Sequence, residues 1–254
     1  MPNTLKLIRA LSISDREHHR VRRGVKLFTG IESLDGILGG FPDGTVLLIS
    51  GLPGSGFDIF AQQILYTASS TNNCNALYVA VDKPPLEVES EMVERGWRVD
   101  ALDEKKWEFL DAYTVKQNVL KGVTGVKSFT DLFKGLPSLI KEGRWLAVDT
   151  LSSFIEALRF EEVLEVLGEL VEKARDNGGL HLLLVVEGLH DEKTLIKLTH
   201  TVDGLLNLTL ESRYAEPIGL ITVKKLRKMD HARRVISYRI TENGLVVETA
   251  TRIV

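Results

Sequence analysis

The chain has little cysteine: Cys74 stands alone among 254 residues. That excludes an internal disulfide and any zinc site built on paired thiolates, and it suits a reducing cytosol. Long apolar runs are missing too, since none reaches the ~18–20 residues of a membrane span. The opening stretch MPNTLKLIRALSISDREHHRVRRG is too charged and too broken for a secretory signal. A soluble cytoplasmic protein without a membrane partner is the expectation. Neither charge sign dominates: the formal net charge is −3, so polyanion binding is not a property of the whole chain. Aromatic residues are scarce, at 7%, and none is interleaved with the basic clusters for stacking on bases. His18 and His19 have no matching ligand cluster, and His190 and His200 are too far apart for one helical pair. No metal site is expected, and no Ser-His-Asp pattern stands out.

What remains is ordinary globular material, 44% hydrophobic and 26% charged, enough for one sizeable core. Residues 1–24 form a basic arm, with Lys6, Arg9, Arg16, Arg20, Arg22 and Arg23 against Asp15 and Glu17. Leu5, Ile8 and Leu11 give it an apolar stripe; a solvated helix capping the domain competes there with an oligomer or nucleic-acid contact. Residues 25–254 read as a single domain. TVLLIS (45–50), ALYVAV (76–81), WEFLDA (107–112), WLAVDT (145–150) and LHLLLVVE (180–187) are mostly continuous apolar runs, the signature of strands covered on both faces. Amphipathic helices are expected from Phe160 to Ala174, stopped by Asn177, Gly178 and Gly179, and over PLEVESEMVERGW with Pro85 at its start. KGVTGVKS (121–128) reads as a flexible loop. After Thr201 short strands and turn residues, among them Glu242-Asn243-Gly244, predict an antiparallel meander. The fold class is therefore three-layer α/β, mainly parallel, with an antiparallel C-terminal extension.

The sharpest motif is SGLPGSGFDIF, Ser50 to Phe60, between an apolar strand and a helix. Gly51, Gly54 and Gly56, with Pro53 and Ser55 between them, follow the phosphate-loop pattern, in which main-chain N–H groups and a helix N-terminus meet an anion. The pattern then asks for Lys followed by Ser or Thr, and this chain has Phe57 and Asp58. Phe57 offers no charge, and Asp58 would oppose a triphosphate. A carboxylate there also suits the positive end of a helix, so Asp58 is expected to answer the helix end itself.

Several motifs in order resemble the KaiC-like ATPases of the RecA superfamily: FTGIESLDGILGGFPDGTVLLISGLPGSG, ALYVAVDKP, RWLAVDTLSSF and GLITVKKLRKMDHARRVISYRITENGLVV. The resemblance covers roughly Val25 to Val247 and implies a RecA-type P-loop fold. It implies that Asp149 stands at the magnesium-holding Walker B position and that Asp82 stands where a water-polarising acid is found, with Lys83 in place of a second acid. It implies that Lys225 and Arg227 form a K-x-R pair reaching the nucleotide of a neighbouring subunit. Strand alternation puts both on one side; a solvated basic edge with Lys224, Lys228, Arg233 and Arg234 is the rival reading. Glu187, at the end of a central strand, decides nothing. With Phe57 and Asp58 in the loop, the expected function is that of a non-hydrolysing regulatory or scaffold subunit. A homo-oligomer or protein partner is expected, with no cofactor, or ATP and magnesium if the site works. The competing functions are an active ATPase with atypical phosphate chemistry and a RadA-like nucleic-acid-binding protein.

Overall fold

A computed structural model describes residues 24–71, 74–213, 216–227 and 235–248. Nearly all of the basic arm, together with Lys228, Arg233 and Arg234, lies outside these residues. In chain order the elements are β1 (Lys26–Leu27), α1 (Glu32–Leu38), β2 (Phe41–Pro42), β3 (Thr45–Gly51), α2 (Phe57–Thr71), β4 (Ala76–Ala80), α3 (Pro85–Glu94), β5 (Trp107–Asp111), α4 (Ala112–Leu120), α5 (Val126–Gly135), β6 (Trp145–Asp149), α6 (Leu151–Ala157), α7 (Phe160–Asn177), β7 (Leu180–Val186), α8 (Glu192–Thr201), β8 (Gly204–Arg213), β9 (Glu216–Leu226), β10 (Val235–Thr241) and β11 (Gly244–Val247).

Nine strands form one sheet in the order β11-β10-β9-β8-β3-β7-β6-β4-β5. From β8 to β5 every pairing is parallel; β9, β10 and β11 join antiparallel. The parallel strands divide their residues between two cores. Leu47, Ile49, Tyr78, Ala147, Leu182 and Leu184 pack on one side with Phe60, Ala61, Ile64 and Leu65 of α2. Val46, Leu48, Leu146, Val148, Leu183 and Val185 pack on the other with α7 residues Val163, Leu167, Leu170 and Val171. Both faces are buried, so apolar residues predominate on both and the alternation disappears.

The expected meander is present and runs β8-β9-β10-β11, each strand antiparallel to the next. β8 also pairs parallel with β3, and Asp203 fixes that junction: its N–H donates to the Val46 carbonyl at 3.0 Å and its Oδ2 accepts from the Val46 N–H at 3.2 Å. One detail differs from the expectation. The expected loop at 121–128 is shorter, because α5 begins at Val126. Phe129 and Phe133 drive that helix into the core, where both stack on Phe154 at centroid distances of 4.4 and 4.5 Å. Tertiary packing here outweighs the loop-like composition of KGVTGVKS.

Candidate functional site

The site lies at the carboxyl ends of the parallel strands, where open α/β sheets place their ligands. β3 ends at Gly51, and its next N–H partner, Glu187 at the end of β7, donates to the Gly51 carbonyl at 3.0 Å. Asn207 on β8 donates to Ser50 Oγ at 2.9 Å and to Glu187 Oε2 at 3.1 Å, so β7, β3 and β8 are tied together directly beneath the loop. Gly51 is required sterically: a Cβ there would strike Ser55 Oγ and come within 3.1 Å of the Leu208 carbonyl. The loop closes with Ser55 N–H donating to the Leu52 carbonyl at 2.9 Å. Gly54 and Gly56 adopt φ of 88° and 76°, the left-handed region where glycine carries no steric penalty. Leu52, Pro53 and Gly54 face outward; Ser55 and Gly56 are buried.

α2 begins at Phe57, and Phe60 N–H is the first to reach a carbonyl, that of Gly56 at 2.8 Å. Among the described residues no acceptor meets the N–H groups of Gly56, Phe57 and Asp58. These N–H groups stand at the N-terminal end of α2, where the glycines led one to expect a cradle of main-chain donors. Phe57 is only 6% exposed and belongs to the α2-side core. Asp58 is partly exposed and takes no hydrogen bond from a described residue, so it does not cap the helix as a bonded group. Its charge acts on Asp149, Tyr78 and Lys83 instead.

Asp149 ends β6 and is 8% exposed. Tyr78 on β4 donates its hydroxyl to Asp149 Oδ2 at 2.5 Å, and Gln62 of α2 donates to the Tyr78 oxygen at 3.3 Å. Burial pushes the Asp149 carboxyl up; the Tyr78 bond opposes this, the carboxylates of Asp58 and Asp82 add to it, Lys83 counters, and the result is about 7. The Tyr78 phenol is driven far up, by burial first and by Asp149 second.

Asp82 is fully engaged. Its Oδ1 accepts from Lys116 Nζ at 2.6 Å and from Ser153 Oγ, and its Oδ2 accepts from Thr150 Oγ1 at 2.6 Å. Burial alone would raise this carboxyl, but those three bonds outweigh it and hold Asp82 below the ordinary range. Lys83 is gripped by both oxygens of Glu91, at 2.6 and 2.7 Å. Burial would lower its ammonium; Glu91, Asp58 and Asp149 outweigh that and raise it.

Lys225 and Arg227 point to one place, the C-terminus of α8. Lys225 Nζ donates to the carbonyls of Thr199 and of Val202, the latter at 2.6 Å. Arg227 Nη2 donates to the His200 carbonyl at 2.5 Å, and its Nη1 lies 3.9 Å from Asp203 Oδ1. Two cations thus meet the unpaired carbonyls and negative end of a helix of their own chain. Burial, then Arg227, lowers the Lys225 ammonium against the pull of Asp203.

The structure brings Asp58, Asp82, Lys83 and Asp149 into one electrostatic neighbourhood and sets Lys225 and Arg227 apart at α8. Sequence reasoning missed Tyr78, Gln62 and Lys116. Tyr78 and Gln62 were detectable only as polar atoms inside otherwise apolar stretches, and Lys116 carries no local signal at all.

Comparison with known proteins gives a consistent answer. A family model described as "ATPase: KaiC" matches residues 27–252. A UPF0273 protein of Thermotoga maritima is 27% identical over 231 residues, 86% of this chain and 94% of the relative. A UPF0273 protein of Methanocaldococcus jannaschii is 28% identical over 250 residues, again 86% and 94%. Among solved structures, a KaiC-like protein of Pyrococcus horikoshii superposes with a TM-score of 0.70 at 21% identity, covering 88% of this chain and 99% of that one.

Proposed function

The chain belongs to the KaiC-like ATPase family, and within it we propose a member that does not hydrolyse ATP and serves as a regulatory or scaffold subunit. The observation that carries this reading is Phe57: the position of the phosphate-loop lysine is filled by a side chain in the core, 6% exposed. Asp58 makes the charge balance worse. At an effective dielectric of ~20, one like-charge pair ~5 Å apart costs ~3 kcal/mol, so exchanging an attractive charge for a repulsive one removes several kcal/mol of nucleotide affinity. The residues present do not fit a magnesium triphosphate. Asp82 is bonded to Lys116, Thr150 and Ser153, and Lys83, whose charge acts on Asp149, is held by Glu91. No catalytic step is therefore assigned to these residues.

The rival reading is an active ATPase with atypical phosphate chemistry. The N–H groups of Gly56, Phe57 and Asp58, which meet no acceptor among the described residues, favour it. Titration calorimetry with magnesium-ATP and magnesium-ADP separates the two, measured beside the double variant Phe57→Lys, Asp58→Thr. The expected result is no binding at millimolar nucleotide for the natural chain and micromolar binding for the variant. Micromolar binding by the natural chain, with phosphate release above an Asp149→Ala control, would establish the rival instead. Assembly into a homo-oligomer, or docking on a protein partner, is the role left for a fold of this kind; light scattering tests the first.

A further inference from the structure

The last two strands reach across to the loop. β10 pairs with β9 so that Tyr238 stands opposite Gly219. A Cβ on Gly219 would run into the Tyr238 ring, so only glycine leaves room for the ring in that position. The ring is fully buried, and its hydroxyl donates to the main-chain carbonyl of Ser55, inside the phosphate loop. Two residues further along β10, Ile240 lies against Gly56: its Cδ1 stands 2.7 Å from the place a Cβ would occupy. The Glu242-Asn243 turn then brings β11 onto α2, where the Gln63 amide holds both main-chain groups of Leu245. Gln63 Nε2 donates to the Leu245 carbonyl at 3.1 Å, and Leu245 N–H donates to Gln63 Oε1 at 2.7 Å.

We propose that the β10–β11 hairpin is a clamp that holds the loop from Leu52 to Gly56 in its turned shape without a ligand, with Tyr238 as the positioning residue. A loop carrying Gly54 and Gly56 loses much conformational freedom on ordering. In a working phosphate loop the anion's hydrogen bonds offset that loss. Here the offsets come from the protein. The Ser55 carbonyl is met by Tyr238, the Ser55 N–H by the Leu52 carbonyl, and the Gly56 face by Ile240. A phenylalanine would fill the same space over Gly219; the hydroxyl adds a directed bond into the loop. The inference goes beyond the proposed function and holds whether or not the loop takes nucleotide.

Hydrogen exchange on the full chain tests it, comparing the wild type with Tyr238→Phe and Ser55→Ala. Tyr238→Phe keeps the ring and removes only the donor. Amides of residues 54–60 are expected to exchange about tenfold faster, the effect of losing one hydrogen bond, while β6 and α7 exchange as before. Ser55→Ala leaves the accepting carbonyl in place and is expected to change exchange by less than about twofold. The clamp is refuted if Tyr238→Phe leaves residues 54–60 unchanged, or if β6 and α7 accelerate to the same extent. It is equally refuted if Ser55→Ala loosens the loop as much as Tyr238→Phe does.

Discussion

Replacing Asp149 by asparagine should stabilise this protein at pH 8, and the gain should vanish in acid. Asp149 is buried, and its carboxyl is raised from 3.8 to about 7 by burial and by the charges of Asp58 and Asp82. Below 3.8 both the folded and the unfolded chain carry the proton, and the fold bears no penalty. Between 3.8 and about 7 the unfolded chain ionises while the folded one keeps its proton, so stability falls across that window and levels off once the pH passes about 7. Roughly three pKa units at 1.36 kcal/mol each make the full penalty about 4 kcal/mol above pH 7. Asparagine keeps an acceptor for the Tyr78 hydroxyl and carries no charge. Its new N–H groups need partners, which costs ~1–2 kcal/mol and leaves a net gain of ~2–3 kcal/mol at pH 8. The quantity to measure is the difference in urea unfolding free energy between variant and wild type from pH 4 to pH 8. It should grow by about 4 kcal/mol across that range. A difference that does not change with pH would refute the assignment of a strained, charge-crowded carboxylate at the end of β6.

His181 predicts the opposite slope: burial pushes its imidazole down to about 4, so the fold requires it neutral, and stability present above pH 6.5 is lost on acidification towards 4. His181→Leu should remove ~3 kcal/mol of acid sensitivity in urea titrations over that window, and an unchanged acid limb would count against it. Lys225→Met should cost ~1–2 kcal/mol, because the carbonyls of Thr199 and Val202 lose their donor at a helix C-terminus; faster exchange should be confined to the last turn of α8, and normal protection there would contradict the capping role. Gly56→Ala should destabilise by ~1–3 kcal/mol, since alanine at φ 76° is strained and its methyl meets Ile240; a melting temperature equal to wild type would mean the loop has room that its geometry denies.

The parallel sheet was legible because its physical cause is written in consecutive residues. A strand buried on both faces is mostly apolar on both, and TVLLIS, ALYVA and LHLLLVV are, with Thr45, Ser50, Tyr78 and His181 the polar exceptions. The phosphate loop was legible for the same reason, since its glycines and the adjoining helix are contiguous. The interactions that define the rest of the site are not contiguous. Asp82 meets Lys116, 34 positions away, and Thr150 and Ser153, 68 and 71 positions away. No local pattern marks those partners. Alternation along β9 correctly put Lys225 and Arg227 on one side, but it could not say that the end of α8 lies there. Asp58 shows the same limit. Its place in the first helical turn was plain, and α2 carries it there. Its charge also bears on Asp149 and Lys83, which no local pattern announces.

That placement bears on what a change at a single position can achieve. Phe57→Lys alone would put a cation where the core now closes over an aromatic ring, and it would still face Asp58. Asp58→Thr alone would relieve Asp149 but supply no positive charge to an incoming phosphate. Each substitution addresses one half of a coupled problem, and residues in contact are expected to combine non-additively. The double variant should therefore gain more nucleotide affinity than the two single variants summed, by a coupling of ~0.5–3 kcal/mol in a double-mutant cycle. Strict additivity would mean that Asp58 and the residue at position 57 act on a phosphate independently. Each would then weaken nucleotide binding by its own separate amount.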